Sequence, residues 1–250
     1  MTEKAKTFAS GEVVLVAGLG NPGPKYAGNR HNIGFMALDR AASDHSFGAW
    51  RSKFQGEIGE GRLAGKRVIL LKPATYMNES GRAVGEAMRF LKIDADDVIV
   101  VHDELDLAPG KCRVKLGGGH AGHNGLRSIH AHIGPGYARV RLGIGHPGHK
   151  DKVSGYVLHD FAKADDDWLS RLLEGFSEGL PKLADGDAAG FQNAVALRTN
   201  PPRPSSGNKA PHAARAASKA QKTAREKTEK ALEQVSEDNP LARLLAKFRK

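Results

Sequence analysis

His31 and Asp103 are the residues in this sequence best suited to activating water. A neutral imidazole titrates near working pH and can take a proton from water. A carboxylate beside it would fix its tautomer and stabilise the imidazolium. General-base help of this kind contributes roughly 100- to 10,000-fold in rate. No Gly-x-Ser-x-Gly elbow is present, and the single cysteine, Cys112, sits in a basic strand-like stretch, so no covalent nucleophile stands out. Each residue also has a plainer use, the histidine in packing or capping and the aspartate in a turn. A zinc-dependent hydrolase is the rival chemistry, because His120-x-x-His123, His102-Asp103 and His146-x-x-His149 all offer ligands. The first of these pairs lies in a glycine-rich loop rather than on one helical face, and no thiolate joins any of them.

Three amides accompany the pair. Asn21, Asn78 and Asn124, together with Tyr26 and Tyr76, supply uncharged donors and acceptors suited to peptide groups and a sugar edge. Singly, each asparagine would be a turn residue or helix cap. Lys115, Arg139 and Arg141 fall on neighbouring segments and could grip phosphates, or form a solvated strand face. The glycine run 117–119 could let backbone N–H groups approach a phosphate or carbonyl at a helix start.

These residues fall in four clusters that need strands to hold them. The loop 18–32 follows the apolar run 13–17, and 73–81 follows a strand over 68–71. The stretch 102–106 follows a strand over 98–101, and 115–125 carries Lys115 and the glycine run. Strands ending in one direction would gather all four around one cleft, at the sheet edge where α/β proteins bind ligands. No acidic ribose reader follows the first loop at dinucleotide spacing. The remaining pattern predicts helices over 34–42, 80–90, 122–133, 165–179 and 187–197. Paired strands are expected over 53–60 and 67–72 with a hairpin at 63–66, and a further strand over 138–144. The fold class is α/β: one domain, with a twisted mixed sheet flanked by helices.

With 250 residues the chain can bury one sizeable core or two small ones. Its formal charge of +10 is uneven: residues 201–250 hold twelve Lys/Arg against five Asp/Glu, leaving +3 for 1–200. The basic balance therefore belongs mostly to the tail. Residues 1–10 read as a disordered leader without a secretory apolar core, 11–199 as the catalytic domain, and 200–250 as a Pro/Ser-rich linker and basic extension. In that extension Leu241, Leu244, Leu245 and Phe248 share one face, behind a good helix start at Asn239-Pro240. One cysteine and no long apolar run suit a reducing, cytoplasmic setting without a membrane span.

Gly-Leu-Gly-Asn-Pro-Gly, Tyr-x-x-x-Arg-His-Asn, Lys-Pro-x-Thr-Tyr-Met-Asn-x-Ser-Gly, His-Asp-Glu-Leu-Asp, Gly-Gly-Gly-His-x-Gly-His-Asn-Gly and Arg-x-Gly-Ile-Gly-His-Pro occur in order over about residues 13–197. Together they resemble the bacterial peptidyl-tRNA hydrolase family. The resemblance implies a monomeric, metal-independent enzyme without cofactors. Its reaction would be cleavage of the ester between an N-blocked peptide and the tRNA 3′ ribose, recycling tRNA lost from stalled ribosomes. It implies that His31 is the base, Asp103 its stabiliser and Asn21 the residue that tells blocked from free aminoacyl groups. It places Tyr26, Tyr76, Asn78 and Asn124 at the 3′ end and peptide, with Met77 and His123 packed nearby. Lys115 and Arg141 would clamp the tRNA 5′ phosphate, and residues 146–153 would form a mobile loop beside the cleft. An RNA-binding relative without catalysis would share the fold and lack turnover.

Overall fold

The computed structural model describes residues 8–201, and all of them fall in one compact unit. The expected basic extension, with its Leu241-to-Phe248 face, lies outside the described residues. The strands are β1 (Val13–Gly18), β2 (Arg51–Lys53), β3 (Gly56–Leu63), β4 (Lys66–Pro73), β5 (Val98–Glu104), β6 (Cys112–Leu116) and β7 (Ala138–Gly143). The helices are α1 (Ile33–Asp44), α2 (Ser80–Leu91), α3 (Asn124–Ile133), α4 (Val153–Val157), α5 (Asp166–Ala184) and α6 (Ala188–Thr199).

One mixed sheet runs in the order β2-β3-β4-β1-β5-β7-β6. Its centre, β4-β1-β5-β7, is parallel, and the flanking strands are antiparallel. Both faces of the central strands are buried, so those strands read as continuous apolar runs. Val14, Val16, Val68, Leu70, Ile99 and Val101 pack with Leu38, Phe176 and Phe191 from α1, α5 and α6. Their neighbours Leu15, Ala17, Ile69, Leu71, Val98 and Val100 pack with Val84 and Leu126 from α2 and α3. Each fully buried aliphatic side chain contributes roughly 1.5–3 kcal/mol. The chain leaves β1 through α1 on one face and enters β5 after α2 on the other. That reversal opens a crevice at the carboxyl edge of the sheet.

Several expectations need correction. Residues 8 and 9, expected within the leader, belong to the fold: Phe8 and Ala9 are buried in the core and the Ala9 N–H donates to the Asp96 carbonyl at 2.7 Å. The single strand expected over 53–60 is two: Phe54 and Gln55 both take positive φ (56° and 51°), a hairpin turn that ends β2 and starts β3. Residues 102–104 belong to β5 rather than following it. Strand β6 runs antiparallel to β7, so its end lies at the opposite edge from the ends of β1, β4 and β5. The fourth cluster reaches the cleft only because residues 117–123 travel back. The Arg139 guanidinium donates to the Gly118 and Gly119 carbonyls, both at 2.7 Å, and holds that return path. Helix α3 starts at Asn124, two residues later than expected, where His123 caps it.

Helix α5 continues past 179 and through Pro181. Proline has no N–H for the carbonyl four residues earlier, which is that of Ser177. His45 Nε2 donates to that carbonyl at 2.7 Å, so the break in the ladder is repaired from outside.

Candidate active site

Asp103 lies in β5, and its carboxylate is buried. His31 reaches it from the turn Arg30–Asn32 that leads into α1. The approach is close because Gly34 has no side chain: a Cβ there would sit 2.5 Å from the Val101 carbonyl oxygen. His31 Nδ1 donates to Asp103 Oδ1 at 2.8 Å. A carboxylate can only accept, so Nδ1 carries the proton and Nε2 keeps its lone pair. Burial disfavours the imidazolium, but the charge of Asp103 and its hydrogen bond outweigh burial, and His31 is raised above its ordinary value. Burial likewise opposes ionisation of Asp103, yet the two imidazoles facing it hold it well below the usual carboxylate range.

The second imidazole is that of His123. Its Nδ1 accepts the first free N–H groups of α3, from Gly125 at 3.1 Å and Leu126 at 3.4 Å. Its proton is therefore on Nε2, which donates to the same Asp103 Oδ1 at 3.0 Å. Sequence reasoning left His123 as a packing residue, and the cap at the glycine-rich turn was the only available signal for more. Gly125 is needed beside it, since a Cβ would sit 2.6 Å from Met77 Sδ. The His102 ring lies edge-on to His123 with centroids 5.1 Å apart. Burial pushes His102 down to about 3, so it stays neutral while its Nδ1 donates to the Asp103 backbone carbonyl.

Asn21 is locked by its surroundings. Its backbone N–H and C=O pair with the Asn32 side chain, each bond 2.9 Å, and its Oδ1 accepts from the Met77 N–H at 2.8 Å. The acceptor half of the amide is thus occupied, and the Nδ2 donors are what the cleft receives. Asn32, which sequence reasoning missed, fastens the Asn21 loop to the turn bearing His31.

Asn21, His31, Met77, Asn78, Asp103, Lys115, His123, Asn124 and Arg141 line one cleft of about 850 Å³. Asn78, Asn124 and Lys115 are exposed, and Met77 is buried in its wall. Tyr26 and Tyr76 do not line this volume. Tyr26 is half-buried with Lys25 Nζ 4.7 Å above its ring, and Tyr76 is 58% exposed. His146 and part of α4 close the opposite wall. That wall is strapped to the base: Asn29 Nδ2 donates to Asp160 Oδ1 at 2.7 Å, and Arg30 donates to the Asp160 carbonyl at 2.7 Å and to Asp165 Oδ2 at 3.1 Å. The Arg30 guanidinium also lies 4.5 Å from the centre of the Tyr156 ring.

Among the described residues, His31, Asp103 and His123 are the group whose donor atoms could converge on a metal ion. Both imidazoles, however, spend their N–H on one carboxylate oxygen, which makes a hydrogen-bonded set rather than a ligand set. His120 Nδ1 and His146 Nδ1 each accept a backbone N–H two residues on, from Gly122 and Gly148. The Cys112 thiol is buried and pushed up to about 12, which removes it as a nucleophile.

Comparison with known proteins identifies the family. The sequence model of the Peptidyl-tRNA hydrolase family matches residues 15–203. The chain is 65% identical over 199 residues to a peptidyl-tRNA hydrolase of Ruegeria pomeroyi, covering 80% of this chain and 83% of that protein. A peptidyl-tRNA hydrolase of Dinoroseobacter shibae is 62% identical over 242 residues, covering 94% and 99%. The crystal structure of peptidyl-tRNA hydrolase from Acinetobacter baumannii superposes with a TM-score of 0.69 at 40% identity, covering 74% of this chain and 94% of that one. With the fold, the order of the motifs and the matched span in agreement, this chain belongs to the peptidyl-tRNA hydrolase family.

Proposed function

We propose that the cleft hydrolyses the ester joining an N-blocked peptide to the 3′ ribose of tRNA, with His31 as general base and Asp103 as its partner. The observation that carries this is the buried 2.8 Å bond from His31 Nδ1 to Asp103, which leaves Nε2 as the free lone pair on a cleft-lining ring. Water gives a proton to Nε2 as its oxygen attacks the ester carbonyl. Collapse of the tetrahedral oxyanion expels the ribose oxygen, which takes that proton back. An alkoxide leaves far more readily than the unprotonated nitrogen of an amide, so one base with amide donors for the oxyanion suffices. Asn21 Nδ2 is such a donor. Because Oδ1 of Asn21 is already occupied, a free α-ammonium in its place would lose hydration and meet another donor. That is the physical basis for preferring blocked substrates.

Asn78 and Asn124 hold the peptide and the 3′ end across the cleft, Tyr26 and Tyr76 contact it from outside the lined volume, and Met77 packs beneath. Lys115 and Arg141 grip the 5′ phosphate. The enzyme acts as a monomer in the cytoplasm without metal; no described helix is long and apolar enough to cross a membrane.

The test is hydrolysis of N-acetylaminoacyl-tRNA beside free aminoacyl-tRNA, for wild type and His31→Ala, before and after exhaustive chelation. The expected result is turnover of the blocked substrate alone, unaffected by chelation. His31→Ala loses at least roughly 100-fold in kcat while still binding tRNA. Wild-type rates in His31→Ala would remove the base. A wild type that binds tRNA without cleaving it would be the non-catalytic relative.

A further inference from the structure

Arg141 is not a free cation. Its Nε donates to Glu104 Oε2 at 2.7 Å, across neighbouring strands β7 and β5. Glu104 is itself held, because its other oxygen accepts the Asp106 N–H at 3.1 Å. The Glu104 side chain is only 10% exposed and that of Arg141 25%. The contact is made edge-on through Nε, and among the described residues the two terminal nitrogens of Arg141 have no partner. The residues Glu104 and Arg141 both line the cleft. Strand register puts Arg113, Lys115, Arg139 and Arg141 on one face of the β6–β7 edge. Arg139 is spent on the Gly118 and Gly119 carbonyls. Arg141 and Lys115 are thus the cleft-lining cations of this face that remain available.

We infer that Glu104 is a positioning residue for anion recognition: it takes the Nε of Arg141 so that the two terminal N–H groups present a fixed fork to a phosphate. This rests on the assignment of Arg141 to the 5′ phosphate. A guanidinium can serve a carboxylate along one edge and a phosphate along another, which a lysine cannot. A carboxylate beside a phosphate site repels the phosphate unless it also orients the cation, so the sign of its effect discriminates positioning from masking.

The measurement is the ratio of kcat/KM on 5′-phosphorylated over 5′-hydroxyl N-acetylaminoacyl-tRNA, which cancels any catalytic loss common to both substrates. Glu104→Gln is expected to lower the ratio roughly ten-fold, through KM of the phosphorylated substrate. Glu104→Asp keeps the charge but draws the carboxylate back by one methylene, and lowers the ratio as well. In an Arg141→Ala background neither change lowers the ratio further. An unchanged or raised ratio in Glu104→Gln, a wild-type ratio in Glu104→Asp, or an equal drop with and without Arg141 would overturn the role of Glu104. A wild-type ratio in Arg141→Ala alone would instead overturn the phosphate clamp beneath it.

Discussion

One carboxylate oxygen serving two imidazoles would set the behaviour of His31 as the proposed base. Asp103 Oδ1 accepts from both His31 and His123, so the pull that raises His31 is shared. In its proposed role His31 can take a proton only when neutral. Activity therefore falls as pH drops through its pKa, which lies above the ordinary 6.5. Removing the second donor with His123→Ala leaves the oxygen to His31 and moves the acidic limb of the kcat/KM profile to higher pH. Removing the charge with Asp103→Asn leaves burial to dominate, so the limb moves to lower pH and the plateau falls. Profiles measured for the three proteins check both directions, and a fixed limb in both variants would exclude the shared bond as a control. The His31–Asp103 pair was legible in the sequence because few residue types can activate water. The bond from His123 was not, because it depends on the return of 117–123 over the sheet, which Arg139 fixes from another strand. The orientation of the Asn21 amide was equally hidden, being set by Asn32 and the Met77 N–H.

At the scale of elements, the turn carrying His31 is positioned from two sides. Gly34 lets it close onto β1 and β5, and the strap through Asn29 and Arg30 ties it to 159–165. Arg30→Ala loses charge-assisted bonds and the cover of Tyr156, which costs about 1–3 kcal/mol of stability. It is also expected to lower kcat more than it raises KM, because the strap holds the proposed base rather than the residues proposed to grip tRNA. Urea melts and steady-state kinetics of the variant read the two effects, and an unchanged kcat would separate the strap from the base. The buried parallel strands were readable from their apolar runs, and α1 and α2 from their spacing. Two features were not readable. Nothing local in 53–60 marks Phe54 as a left-handed turn residue, since it is buried against Phe90, with ring centroids 5.1 Å apart. The direction of β6 is likewise a property of its pairing with β7, not of its own residues.

Over the whole molecule, charge and chemistry are divided along the chain. Seven of the ten net positive charges lie in 201–250, after the last helix of the described fold. Truncation after Asn200 is expected to leave turnover of short aminoacyl-oligonucleotide esters unchanged and to weaken tRNA binding at low salt, with a shallower dependence of affinity on salt. Equal affinities and equal salt slopes with and without these residues would assign them no part in RNA contact. The strap has one more consequence. A chain still being synthesised is itself a peptide esterified to tRNA, the very bond this fold is built to break. The hydrogen bond from Asn29 to Asp160 spans 131 positions, so the turn around His31 cannot be fastened until the chain has been extended past Asp160. Ribosome-borne precursors that end earlier carry His31 on a turn without this bond to hold it.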